Sequence, residues 1–102
     1  MKFLISIDTD SELIGYEAIA LALTLATFDH TVQLAFGKAT LALLSDSSTR
    51  LYGMVQSLEL YDLPPAYHDF DDAACSQLDD VIRQAICRGV PNPDAFDSLF
   101  VF

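Results

Sequence analysis

An imidazole and a carboxylate stand side by side at His68-Asp69, directly after the apolar run Pro65-Ala66-Tyr67. That run reads as a short buried strand. In open α/β sheets, ligand-binding and catalytic groups collect just beyond the carboxyl ends of the strands. A histidine beside an aspartate is the material of a general base with its orienting acid. Successive side chains of a strand point to opposite faces, however, so His68 and Asp69 cannot face one another directly. A half-buried or interface histidine fits the placement better. Phe70, Asp71 and Asp72 complete the row, which holds no thiol and no hydroxyl.

The remaining reactive groups are few. Cys75 is expected in the first turn of a helix, where the dipole favours a thiolate. Asp71, Asp72, Asp79 and Asp80 surround it and work in the opposite direction. Cys87 is expected in the last turn of the same helix, the wrong end for activation. Both cysteines read as small packed hydrophobes. Asp8, Asp10 and Asp69 have the oxygen chemistry of a magnesium site if the sheet brings them together. Aspartates are also favoured at strand ends and caps for backbone reasons, and that reading is preferred. His30 reads as a turn residue. Gly15, Gly37, Gly53 and Gly89 stand alone, so no glycine-rich cradle for a dinucleotide or triphosphate exists. No cofactor and no metal are expected.

The bulk numbers narrow the class. One hundred and two residues suit a single domain, 1–102. The apolar fraction is 52%, more than so short a domain readily buries, which points to a surface covered by another subunit. Net charge is −10, and Lys2, Lys38, Arg50, Arg83 and Arg88 are scattered. Direct nucleic-acid binding and an anionic membrane are therefore disfavoured, and a basic partner protein is compatible. The opening residues do not form a signal peptide, and residues 13–28 fall short of the ~20 apolar residues of a membrane span. A soluble cytosolic chain with reduced cysteines is expected. The two cysteines, twelve residues apart, match no metal-binding spacing.

Alternating strands and helices must position these groups. Residues 2–8 predict strand one. Thr9 with Glu12 suggests a capping box for the helix that follows. Ile14, Ala18, Leu21, Leu25 and Phe28 mark one face of that helix, and Ala20, Leu23 and Ala26 make its other face apolar too, so cover on more than one side is expected. Strand two is predicted over 31–36, closed by Gly37. A short helix is expected over 38–44. A second, capped by Ser48 or Thr49, points Leu51, Met54, Val55 and Leu58 inward. Pro64-Pro65 ends it. Strand three is predicted over 66–70. Asp71 or Asp72 then caps one helix through Ala74, Leu78, Val81, Ile82 and Ala85, with Gly89 at its C′ position. The last strand is predicted over 97–102. The pattern predicts an α/β domain of three layers, α/β/α, around a small, mostly parallel sheet of four or five strands.

Several stretches together resemble the DsrE/DsrF-like sulfur-relay family, most closely its TusC/DsrF branch. One is the opening strand and long Ala/Leu helix, residues 1–29. Another is Val32-Gln33-Leu34-Ala35-Phe36-Gly37-Lys38-Ala39 with Leu41 and Leu44, similar to the family's second strand and its F-x-x-D-G-V turn, with the Asp missing. Leu58-Glu59-Leu60-Tyr61-Asp62 is similar to L-x-L-Y-D. Phe96-Asp97-Ser98-Leu99-Phe100-Val101-Phe102 is similar to the terminal Y-D-x-I-L-x-F.

The resemblance implies sulfur transfer within a DsrEFH-like fold. Family members of the DsrE/TusD type carry a persulfide on a cysteine at the end of strand three. Counted from Tyr61-Asp62, that position falls near Asp69, and Cys75 comes six residues later. The resemblance therefore implies a non-catalytic subunit with no activity alone, assembled in the cytoplasm with B-type and D-type partners. Such a TusBCD-type hetero-oligomer passes sulfur toward 2-thiouridine at the tRNA wobble position without this chain touching tRNA. It also implies trimming between Asp69 and Gly89. Three alternatives stand beside it: a persulfide carrier using Cys75, a DsrEFH-type subunit in sulfur oxidation, and an α/β self-association module unrelated to sulfur.

Overall fold

The computed structural model describes residues 1–102. Five strands, β1 (Lys2–Ile7), β2 (Thr31–Phe36), β3 (Ala66–His68), β4 (Ile86–Arg88) and β5 (Ser98–Val101), form one sheet in the order β4-β3-β2-β1-β5. Every neighbouring pair is parallel. The helices are α1 (Glu12–Thr27), α2 (Leu41–Leu44), α3 (Arg50–Val55), α4 (Asp72–Ser76) and α5 (Asp80–Arg83). Short 3-10 turns occur at Lys38–Thr40, Leu58–Tyr61 and Pro93–Ala95. The expected small α/β/α fold is present, with a five-stranded, all-parallel sheet, and its second outer layer is reduced to the 3-10 turn Pro93–Ala95 and the chain around it.

Strand order dictates how unequal the two outer layers are. The chain steps from β1 to β2 to β3 to β4 in one direction across the sheet, and each step is a crossover. Crossovers of one hand and one direction fall on one face. The buried side chains agree. Ile5, Ile7, Val32, Leu34, Phe36, Ala66 and Ile86 share a face of the sheet, and they join one core with residues from α1, α2, α3 and α5. Leu44, Leu51 and Ile82 within it are fully enclosed; each such side chain is worth roughly 1.5–3 kcal/mol relative to exposure.

The last connection runs the other way, from β4 across to β5, and belongs on the opposite face. Residues 89–97 have nine positions for this crossing. Four strand spacings come to about 19 Å, and the chain must also return to the amino edge to begin a parallel strand. Nine extended residues reach about 30 Å, which leaves no slack for a covering helix at 1.5 Å per residue. The outer layer on this side is accordingly a strap whose one regular element is the turn Pro93–Ala95. The strap is pinned at both ends. Gly89 N–H donates to the His68 carbonyl at 3.0 Å. Lys2 N–H donates to the Asp97 carboxylate at 2.7 Å, and Asp97 N–H donates back to the Lys2 carbonyl at 2.8 Å.

Several expectations need correction. Ser11, rather than a Thr9/Glu12 box, caps α1 and accepts from Ile14 N–H; Thr9 Oγ1 instead accepts from Ser11 N–H. The inward stripe of α1 is Gly15, Ala18, Ile19, Ala22 and Leu23. Ile14 and Phe28 face outward, 42% and 70% exposed, so the helix is covered on one side. The single helix expected after Asp71 is two short ones, and β4 follows where its last turn was expected. Asp71 caps α4 by accepting from Ala74 N–H, and Asp79 stands at the start of α5. Gly89 follows a strand, so it closes no helix. Strand three stops at His68, two residues early, and the last strand spans 98–101. The segment 69–88 carries α4, α5 and β4, and the leanest connection is 89–97.

Candidate functional site

The face opposite the helices carries the side chains that alternate with the core set. Leu4 pairs in register with Leu99, Ser6 with Val101 and Ala35, and Ala35 with Tyr67. Because the strap crosses only part of this face, an open groove of about 480 Å³ remains between it and the carboxyl ends of the strands. Leu4, Tyr67, Leu99 and Val101 give the groove its apolar floor. Val90, Pro91 and Pro93 of the strap form one wall, and Asp8, Lys38 and Asp69 stand along it. Gly89 permits this arrangement, because a Cβ there would lie 2.8 Å from the Tyr67 ring.

Asp8, at the end of β1, is occupied in holding the backbone. Its Oδ1 accepts from Ala39 N–H at 3.0 Å. Next to it, Thr40 Oγ1 donates to the Ile7 carbonyl at 2.7 Å and accepts from Thr9 N–H at 3.2 Å. A Cβ on Gly37 would fall 2.2 Å from the Asp8 carboxyl carbon. The β1 and β2 ends are thus clamped, and a glycine is required there by close approach. Asp8, Asp10 and Asp69 do not converge, and no group of three or more His, Cys, Asp or Glu is arranged to hold a metal ion.

His68 and Asp69 diverge as strand alternation requires. Asp69 is exposed and lines the groove. His68 turns to the helical side, 6% exposed, and stacks on Phe70 with ring centroids 5.0 Å apart. Phe70 N–H donates to His68 Nδ1 at 3.1 Å, which fixes the neutral tautomer with its proton on Nε2. Burial lowers the His68 pKa below its ordinary value, the Arg88 charge lowers it further, and Asp69 opposes both. His68 is therefore a neutral ring with its lone pair already engaged.

Cys75 meets this histidine from α4. Its Sγ lies 3.8 Å from Nδ1 and 3.9 Å from Nε2. The two ring nitrogens point in divergent directions, so an atom equidistant from both lies along neither lone pair nor N–H axis. The contact is close but is not aligned for proton transfer. Sequence spacing gave no hint of this pair, which is created by α4 folding back over the end of β3. Cys87 lies in β4 beside Tyr67, on the groove face, with Sγ 3.9 Å from the Pro65 carbonyl. His30 packs edge-on against Phe3, centroids 5.1 Å apart, near the amino terminus. The groove itself was missed in the sequence. Its signal was the short connection after Gly89, with Pro91 and Pro93 forcing an extended chain.

No protein-family model matches this chain, and no curated protein matches it. No helix is long and apolar enough to cross a membrane.

Proposed function

We propose that this chain is a non-catalytic, TusC-like subunit of a cytoplasmic TusBCD-type sulfur-relay complex serving 2-thiouridine formation in tRNA. The motif resemblance supplies the family. The observation that carries the non-catalytic assignment is Asp69: the residue beyond β3 faces the carboxyl-edge groove with a carboxylate, and no sulfur atom lines that groove. A persulfide needs a thiol sulfur to bond to, and a carboxylate has none. The absence of a basic patch, with a net charge of −10, suits a subunit that contacts proteins rather than tRNA. Co-expression with B-type and D-type partners tests the reading. A stable co-eluting complex is the expected result; a chain that elutes alone at micromolar concentration overturns it.

The closeness of Cys75 to His68 favours one second reading, a carrier in which Cys75 takes the persulfide. The thiol would attack a donor persulfide, accepting its outer sulfur while the donor leaves as a thiolate, and the Cys75 proton would have to pass to a base. His68 cannot accept it without giving up the Phe70 N–H bond. Incubation with a cysteine desulfurase and radiolabelled cysteine separates the readings. Label that disappears in Cys75→Ser supports the carrier, and an unlabelled wild-type chain removes it.

A further inference from the structure

The groove face is too apolar, and too thinly covered, to be explained by this chain alone. Leu99 is 49% exposed and Val101 70%. With buried Leu4 and half-buried Ala35 and Tyr67 they line one floor across β3, β2, β1 and β5. The exposure lies on the edge strand β5, over which the nine-residue strap cannot carry a helix, whereas Leu4 one strand inward is 3% exposed. The charge on the molecule then selects among occupants. A second copy would carry the same whole-chain charge of −10 and be repelled, as would nucleic acid or an anionic membrane. Asp8 and Asp69 stand along the groove with Lys38 as its one cation, and Asp94 is in the strap. Fifteen carboxylate side chains face five cationic ones over the whole chain, and the salt bridges present, Arg83–Asp80 and Arg88–Asp72, lie outside the groove lining.

We infer that the open sheet face, from β5 across to the strap, is the docking surface for a partner subunit that inserts apolar side chains flanked by lysine or arginine. The partner completes the outer layer that the short strap leaves unfinished. This inference rests on the relay-subunit reading for the identity of the partner. It goes beyond that reading by naming the surface and the chemistry of what covers it. Apolar insertion would supply most of the affinity, and the basic rim would select the partner and speed its encounter.

The test uses the full chain co-expressed with B-type and D-type subunits. Leu99→Glu/Val101→Glu places charges on the groove floor at positions already open to water, so folding, checked by circular dichroism and thermal melting, should survive. Leu60→Glu, at a position 84% exposed in the turn Leu58–Tyr61 on the helical side, is the control. Wild type and Leu60→Glu should assemble, and the double variant should lose about tenfold or more in affinity. Raising salt from about 0.05 M to about 0.5 M should weaken assembly of the wild type. Equal assembly by all three proteins overturns the docking surface and leaves the relay reading standing. A wild-type chain that does not assemble at all overturns both. Salt-independent assembly removes the basic rim from the proposal.

Discussion

At the scale of single residues, two groups have been fixed by their surroundings rather than by their own chemistry. His68 is a base on paper, yet burial, Arg88 and the Phe70 N–H hold it neutral. A buried neutral histidine leaves a pH signature with a definite sign. Its folded pKa lies below the ordinary value of 6.5, so the unfolded chain binds the proton first as pH falls. The stability it contributes is complete above 6.5 and declines as pH drops below that toward the folded value. Thermal melting of wild type and His68→Asn from pH 7.5 to about pH 5 should show a steeper loss in the wild type, because Asn keeps an acceptor for the Phe70 N–H and cannot protonate. Parallel curves would mean that His68 is charged or water-accessible. Gly37 is fixed by contact. Gly37→Ala must displace the Asp8 carboxylate from Ala39 N–H, at about 1–3 kcal/mol. Urea unfolding in an Asp8→Ala background should show that the same change costs far less there.

Elements were legible in the sequence wherever one periodic run coincided with one cap. β1 and β2 follow from short apolar runs closed by turn residues, and of the two cap candidates, Ser48 and Thr49, Thr49 caps α3. Thr49 shows why such a cap is decisive: its Oγ1 accepts from Tyr52 N–H at 3.2 Å and donates to the Leu43 carbonyl at 2.9 Å, joining the end of α2 to the start of α3. Thr49→Ala should lower stability by about 1–2 kcal/mol in chemical denaturation, and Thr49→Ser should retain most of it, since the hydroxyl remains. The segment 71–88 was misread for a physical reason. Ala74, Leu78, Val81, Ile82 and Ala85 fit one helical face, but Leu78 and Ile82 are drawn into the core while the Asp79 side chain accepts no cap bond from the α5 backbone. The Asp79 carboxylate instead accepts from Tyr52 O–H at 2.5 Å. A tertiary bond between α3 and α5 thus breaks the helix where local periodicity continues it. β4, three residues long, is below the length at which alternation can be read, and its existence depends on β3 offering an edge. The site shared this limit. Asp69 at a strand end was legible, whereas the Cys75 contact with His68 and the groove depend on how distant segments cross.

At the scale of the whole molecule, a thin layer and a heavy charge act together. The uncovered apolar surface favours association, and the excess of carboxylates opposes association with a second copy. The same charge must strain the folded chain. With a Cα radius of gyration of 12.4 Å, most charges lie within one another's reach when the Debye length is about 30 Å, as at 0.01 M salt, and are largely hidden from one another at about 8 Å, near 0.15 M. Unfolding lets the carboxylates spread apart, so repulsion lowers the stability of the compact state in low salt. The opposing attractions are small, because both ion pairs are exposed, with the carboxylate partners 77% and 101% accessible, and exposed pairs contribute about 0–1 kcal/mol each. Adding sodium chloride over that range at pH 7 should therefore raise the melting temperature, by a few degrees for about 1 kcal/mol of relieved repulsion. Salt screens repulsion and attraction alike, so the sign of the shift reports which dominates. A melting temperature that falls with salt would mean that the Arg83–Asp80 and Arg88–Asp72 pairs outweigh ten uncompensated charges. A rise that persists equally in potassium chloride would assign the effect to screening rather than to a bound sodium ion. Removing one exposed carboxylate, as in Glu59→Gln, should reproduce part of the gain at low salt and add little at high salt.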